Sequence, residues 1–106
     1  MTLEEIIEEC ENDSADWFPR TSLDLFFQAS CAMAEMGELV NLLKKVERGT
    51  DVHEELRSDM VEEATDAFIY LMCVFGLLEV DPEETYRAKR AVNVKRFGRA
   101  SQELAL

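Results

Sequence analysis

Residues 22–47 read SLDLFFQASCAMAEMGELVNLLKKVE, with no proline and one glycine. Leu23, Phe26, Phe27, Cys31, Ala34, Leu42 and Val46 recur at steps of three and four, the period of a helix with one apolar face. The spacing predicts one helix from Ser22 to about Glu47, about 39 Å long at ~1.5 Å per residue. Arg48-Gly49-Thr50 ends it. The stretch from Val52 to Glu79, VHEELRSDMVEEATDAFIYLMCVFGLLE, repeats the pattern, and Asp51-x-x-Glu54 before it is an N-cap signature. Two long helices joined by so short a turn must lie antiparallel.

Shorter helices flank this hairpin. Thr2-x-x-Glu5 is a capping box, and Leu3, Ile6, Ile7 and Cys10 follow at helical spacing, so a first helix runs to about Glu11 before Asn12-Asp13-Ser14 breaks it. Ser14 to Thr21 holds Trp17, Phe18 and Pro19 and reads as an ordered loop with an aromatic anchor, whose plainest use is packing. Asp81-Pro82-Glu83-Glu84 supplies an N-cap, a proline at the first helical position and acids at the positive end of the dipole. It starts a last helix that Gly98 stops, leaving Ala100 to Leu106 to fray. The expected fold is all-α, an antiparallel bundle of about four helices forming a single domain over residues 1–106.

Composition agrees. The chain has 106 residues, 47% hydrophobic, with 4 Gly and 2 Pro, too few turn formers for a sheet protein and too apolar for disorder. Its net charge of -12 would repel nucleic-acid polymers and anionic membranes. The longest apolar run, Ala67 to Leu78, has 12 residues, whereas a membrane span needs about 20. Cys10, Cys31 and Cys73 form an odd set without a CxxC pair, and the acidic start lacks a secretory leader, so a reduced, cytoplasmic setting is expected. Six of the eleven bases, Arg87, Lys89, Arg90, Lys95, Arg96 and Arg99, crowd into the last helix and its end.

The acids on the two long helices are unusually placed. Glu35 and Glu38 share a sector with Phe27, Cys31, Leu39, Leu42 and Val46, while Glu63 and Asp66 share one with Leu56, Ala67, Tyr70, Val74 and Leu77. Each pair is spaced i, i+3 and so occupies one face. A turn centred between residues 50 and 51 puts Glu38 level with Glu63 and Glu35 level with Asp66, so four carboxylates are expected to converge in an apolar interface. Left alone, such ions repel and lose hydration, at several kcal/mol per buried ion. Protonation, a basic side chain or a hard cation would neutralise them. Lys44 falls on the opposite side of its helix and Lys45 lies two to three turns away, so the all-oxygen set favours Mg²⁺, with Mn²⁺ as the substitute. A di-iron centre would need two Glu-x-x-His motifs, and the one histidine, His53, is expected at the surface near a helix start.

Glu35-Met36-Gly37-Glu38-Leu39, then Glu63-Ala64-Thr65-Asp66 followed by Ala67-Phe68-Ile69-Tyr70-Leu71, and Lys89-x-x-x-Asn93-x-x-Arg96 resemble the MazG-like nucleotide pyrophosphohydrolases of the all-α NTP pyrophosphatase superfamily. Their signature is EExxE, a variable spacer and ExxD, and the similarity covers roughly Leu23 to Gly98. The first Glu of EExxE is Ala34 here, which removes one acid from water activation or from holding a second ion. The resemblance implies hydrolysis of a nucleoside triphosphate between the α and β phosphates, with Mg²⁺ on Glu35, Glu38, Glu63 and Asp66. Glu35 or Glu38 is the leading general base, ahead of Glu62, whose sector diverges from that of Glu63.

Folding the last helix back about a turn near residue 80 puts Asn93 beside Ala67 and Asp66. On the resemblance, Lys89 and Arg96 bind phosphates, Asn93 binds sugar or phosphate, and Tyr70 lines the nucleotide pocket. Trp17 and Phe18 could stack on a base, although packing is the plainer expectation. Met33, Met36, Val40, Phe68, Met72 and Phe75 lie away from the carboxylate sector, so a homo-oligomer is expected, a dimer or a dimer of dimers with sites completed across subunits. The rival readings are a non-catalytic bundle that binds nucleotide or a partner, and a phosphoribosyl-ATP pyrophosphohydrolase.

Overall fold

The computed structural model describes residues 1–98; Arg99 and the tail from Ala100 to Leu106, expected to fray, lie outside the described residues. The described chain is all-α. Helix α1 spans Leu3–Trp17, α2 Leu25–Glu47, α3 His53–Leu77 and α4 Pro82–Asn93, followed by a π-helical turn over Val94–Gly98.

Helix ends follow local chemistry. Thr2 and Glu5 form the capping box at α1, Asp24 accepts from the Phe27 N–H to start α2, and Asp81 accepts from the Glu83 N–H to start α4. Helix α3 differs from expectation: its N-cap is Val52, with no side-chain cap bond, so Asp51-x-x-Glu54 does not act as a box. Two ends share one hydrogen-bonding device. After α2 the N–H of Gly49 reaches Val46 O and that of Thr50 reaches Lys45 O; after α3 the N–H of Glu79 reaches Gly76 O and that of Val80 reaches Phe75 O. Both turns need a left-handed residue, met by Gly49 at φ 74° and by Glu79 at φ 55°.

Helix α1 is longer than the sequence suggests, because Asn12, Asp13 and Ser14 do not break it. Each costs under about 0.7 kcal/mol in a helix relative to alanine, and tertiary contacts outweigh that. Ile7 and Cys10 bury against Met72 and Cys73 of α3, with Leu3, Ile6 and Phe75 packed around them. Ser14, one turn after Cys10, accepts a hydrogen bond from Gln28 at 2.9 Å. The loop expected over Ser14 to Thr21 is thus displaced to Phe18–Asp24, and α2 starts at Leu25 rather than at Ser22. Trp17 ends α1 at 64% exposure and Phe18 follows at 47%, so neither is buried packing.

The α2–α3 hairpin is the main body, with Met60 and Ala67 buried along it. Helix α1 lies on the α3 side, and α4 touches the rest of the protein only lightly, chiefly at α1. The last helix does not fold back along α3 beside Ala67 and Asp66. The molecule is drawn out to 55 × 41 × 26 Å with a radius of gyration of 17.5 Å, against about 13 Å for a compact chain of this size. No helix among the described residues is long and apolar enough to cross a membrane.

Candidate functional site

The facing sides of α2 and α3 bring Glu35, Glu63 and Asp66 together. One carboxylate oxygen from each lies within 4.8 Å of the others, and all three side chains are half-buried. Glu63 and Asp66 are one turn apart on α3, while Glu35 reaches across from α2. The expected fourth member does not join them. Glu38 is exposed, because i and i+3 differ by about 60° around a helix, and that rotation carries it past the interface into water. Glu63 is therefore level with Glu35 rather than with Glu38, and the site is a half-open notch of three acids rather than four inside an apolar seam.

The electrostatics follow from this crowding. The Glu35 carboxylate lies within hydrogen-bonding reach of Glu63 and holds its carboxyl above the usual range, and partial desolvation and the negative charges of Glu35, Asp66 and Asp59 push the same way. Tyr70, one turn after Asp66, is raised by burial and by the neighbouring Cys31, Glu35 and Asp66. Among the described residues no base faces the notch in an ion pair; the one salt bridge is the exposed Arg87–Glu83 pair on α4, at 3.3 Å. Three oxygen donors of this kind suit a hard divalent cation that keeps several of its waters. Half-burial leaves room for those waters and for a ligand's oxygens.

A cavity of about 190 Å³ opens from the notch. Glu35 comes to it from α2, Asp66, Ile69, Tyr70 and Cys73 from α3, and Cys10, Asp13, Ser14, Trp17 and Phe18 from α1 and its end. Gln28 also borders it and has no exposed surface. Its Nε2 donates to Ser14 Oγ at 2.9 Å and to the Ser22 carbonyl at 3.2 Å, while its Oε1 has no partner. Burial raises the Cys73 thiol to about 11, helped by nearby Cys10 and Glu11 and opposed by a hydrogen bond to Ser14, so Cys73 is neutral wall rather than a nucleophile.

The basic set is elsewhere. Lys89 and Arg96 are exposed and Asn93 half-buried on α4 and the turn after it, and none lines the cavity. The Arg96 guanidinium rests 4.9 Å from the Phe97 ring centroid. The αL bend at Glu79 and the Asp81–Pro82 cap send α4 toward α1, which separates these residues from the carboxylates within one protomer. Tyr70 does line the cavity, and His53 is exposed at the start of α3, as its position suggested.

Gln28 was missed by the sequence reading, although a signal existed. It stands seven residues before Glu35, almost two full turns, and so lies on the same stripe as the acid. Ser14 and Asp13 were missed because α1 was expected to stop short of them. Comparison with family models, with curated proteins and with solved structures finds no match to this chain.

Proposed function

We propose that the protein is a Mg²⁺-dependent nucleoside triphosphate pyrophosphohydrolase of the MazG-like kind, cleaving its substrate between the α and β phosphates. The observation that carries this reading is the three-carboxylate notch made by Glu35, Glu63 and Asp66. These belong to the two halves of the motif that suggested the family. Glu35, Glu63 and Asp66 would hold the ion. Bound there, Mg²⁺ supplies charge neutralisation on phosphate oxygens and orients water. Hydrolysis adds water at the α phosphorus and breaks its bond to the bridging oxygen, giving a monophosphate and pyrophosphate. Glu38, on the exposed side of the notch, is assigned to the metal or to the attacking water by the resemblance alone.

Assembly belongs to the same proposal. Met33 at 77%, Met36 at 48% and Phe68 at 38% exposure line an open apolar groove with Ala32, Ala64 and Leu71. Met72 and Phe75, expected on that face, are covered by α1 instead. A homodimer or dimer of dimers would cover the groove and let the basic α4 of one copy approach the acids of another, bringing Lys89, Asn93 and Arg96 to the site.

The deciding experiment incubates the full chain with ribo- and deoxynucleoside triphosphates, with and without Mg²⁺ or Mn²⁺, and measures pyrophosphate. Metal-dependent release that falls at least 100-fold in Glu35→Gln and Asp66→Asn is expected; release unchanged in both overturns the assignment. Glu38→Gln, run alongside, decides whether Glu38 takes part. Two observations favour a second reading, a bundle that binds nucleotide without cleaving it: Ala34 in place of the motif's leading acid, and the separation of Lys89 and Arg96 from the notch. Binding without pyrophosphate release selects it, and activity on phosphoribosyl-ATP alone selects that relative of the reaction.

A further inference from the structure

The solvent face of the hairpin carries a period of its own. On α2 the exposed residues Phe26, Ala29, Met33, Met36, Val40 and Leu43 follow one another at steps of three, four, three, four and three. On α3 the exposed residues Val61, Ala64, Phe68 and Leu71 repeat the pattern, and Phe75, next in that row, is taken up by α1. Alternating steps of three and four are a heptad repeat, the period at which one helix seats against another along a shared seam. A helix that faces only water carries polar residues there instead.

The two rows form one strip, because Met33 and Met36 of the first and Ala64, Phe68 and Leu71 of the second line the same groove. Five acids lie within these stretches, Glu35, Glu38, Glu62, Glu63 and Asp66, and each falls at another position of the repeat. A chain of net charge -12 repels its own copies, and an acid-free strip is where two of them can meet. Its shape is self-complementary: Met33 and Phe68 stand out as knobs, and Ala32, Ala64 and Ala67 leave a hole among them. Phe26 to Leu43 covers about 26 Å of helix, and two helices are ~20 Å wide, so the corrugated face is of the order of the ~800 Å² that each partner gives to a stable dimer.

We propose that a second copy of this chain docks on the strip, hairpin against hairpin, so that two α2 and two α3 helices pack as one four-helix bundle with their heptad rows at its core. This gives the assembly proposed above its face and packing, and rests on that reading only for there being an assembly. Asp66 stands two residues from both Ala64 and Phe68, and Glu35 two residues from Met33, each about 160° around its helix. The notches therefore stay clear of the bundle core.

Sedimentation equilibrium of the full chain over a concentration series tests the packing. Met33→Glu and Val61→Glu, on different helices of the strip, should each weaken self-association at least ~100-fold by placing a charge in an apolar seam. Leu23→Glu, at an apolar residue 82% exposed but outside the rows, should leave it within about twofold. The double variants Met33→Glu/Phe68→Glu and Met33→Lys/Phe68→Lys should each sediment alone at no more than half the wild-type mass and regain it when mixed, because the strip faces its own copy. Circular dichroism reports whether each is helical alone; where one is not, the return of helix and mass on mixing decides. Association untouched by Met33→Glu and Val61→Glu, an equal loss in Leu23→Glu, or no recovery on mixing overturns the proposal and leaves an assembly standing on another face. A wild type that is monomeric at every concentration overturns both and gives the strip to a different helical partner, while pyrophosphate release from that monomer would keep the hydrolase reading.

Discussion

Glu79 occupies a left-handed backbone position, φ 55°, at the end of α3, where an L side chain is crowded by its own carbonyl. The same turn at the end of α2 has Gly49 in that role. Glu79→Gly should therefore raise stability by about 0.5–1 kcal/mol once the flexibility of glycine in the unfolded chain is offset, read as a shift in urea midpoint at constant slope. Glu63 makes the opposite kind of statement. Its carboxyl is held above the usual range, so the native state keeps a proton that the unfolded chain has already released. That contribution is complete below the ordinary carboxylate range and is lost as pH rises through the raised value. In EDTA, Glu63→Gln should melt higher than wild type at pH 7 and the two should converge as the solution is acidified. Adding Mg²⁺ should raise the melting temperature of the wild type and leave the variant almost unmoved, and equal responses would remove Glu63 from the metal set.

Secondary structure was legible in the sequence wherever one signal dominated. The long apolar periods located α2 and the body of α3, the glycine turn separated them, and the Asp81–Pro82 signature located the start of α4. What escaped was set by contacts between elements. Helix α1 runs through Asn12, Asp13 and Ser14 because Cys10 and Ile7 are pinned to α3 and Ser14 is held by Gln28, and no local propensity records a partner that is far away in sequence. Similarly, the helical wheel could say that Glu35 and Glu38 share a face but not which of them lies at its centre. Helix α1 should therefore behave as an integral part of the core. Ile7→Ala, at a site only 7% exposed, should cost about 2–4 kcal/mol and bring cleavage by a protease around Trp17 and Phe18. A loss under 0.5 kcal/mol would mean that α1 is a detachable appendage.

At the scale of the whole molecule, 17.5 Å against the roughly 13 Å of a compact chain goes with a hairpin of two long helices and a last helix that, among the described residues, packs on little. Among the described residues the buried apolar ones are few, Ile7, Cys10, Met60, Ala67, Met72 and Cys73, while Met33, Met36 and Phe68 remain open to solvent. Light scattering after size exclusion should give twice or four times the 12.2 kDa chain mass. Phe68→Glu, which puts a charge in the open apolar groove, should shift that mass toward a single chain. A monomeric wild type would count directly against the assembly.

The outlying α4 also changes what a melting curve means for this protein. If neighbours supply the surface on which it settles, folding and association are one equilibrium, and dilution alone must lower the temperature at which the chain comes apart. Two laboratories working at micromolar and nanomolar concentrations would then record different stabilities for an unaltered sequence, and both would be right.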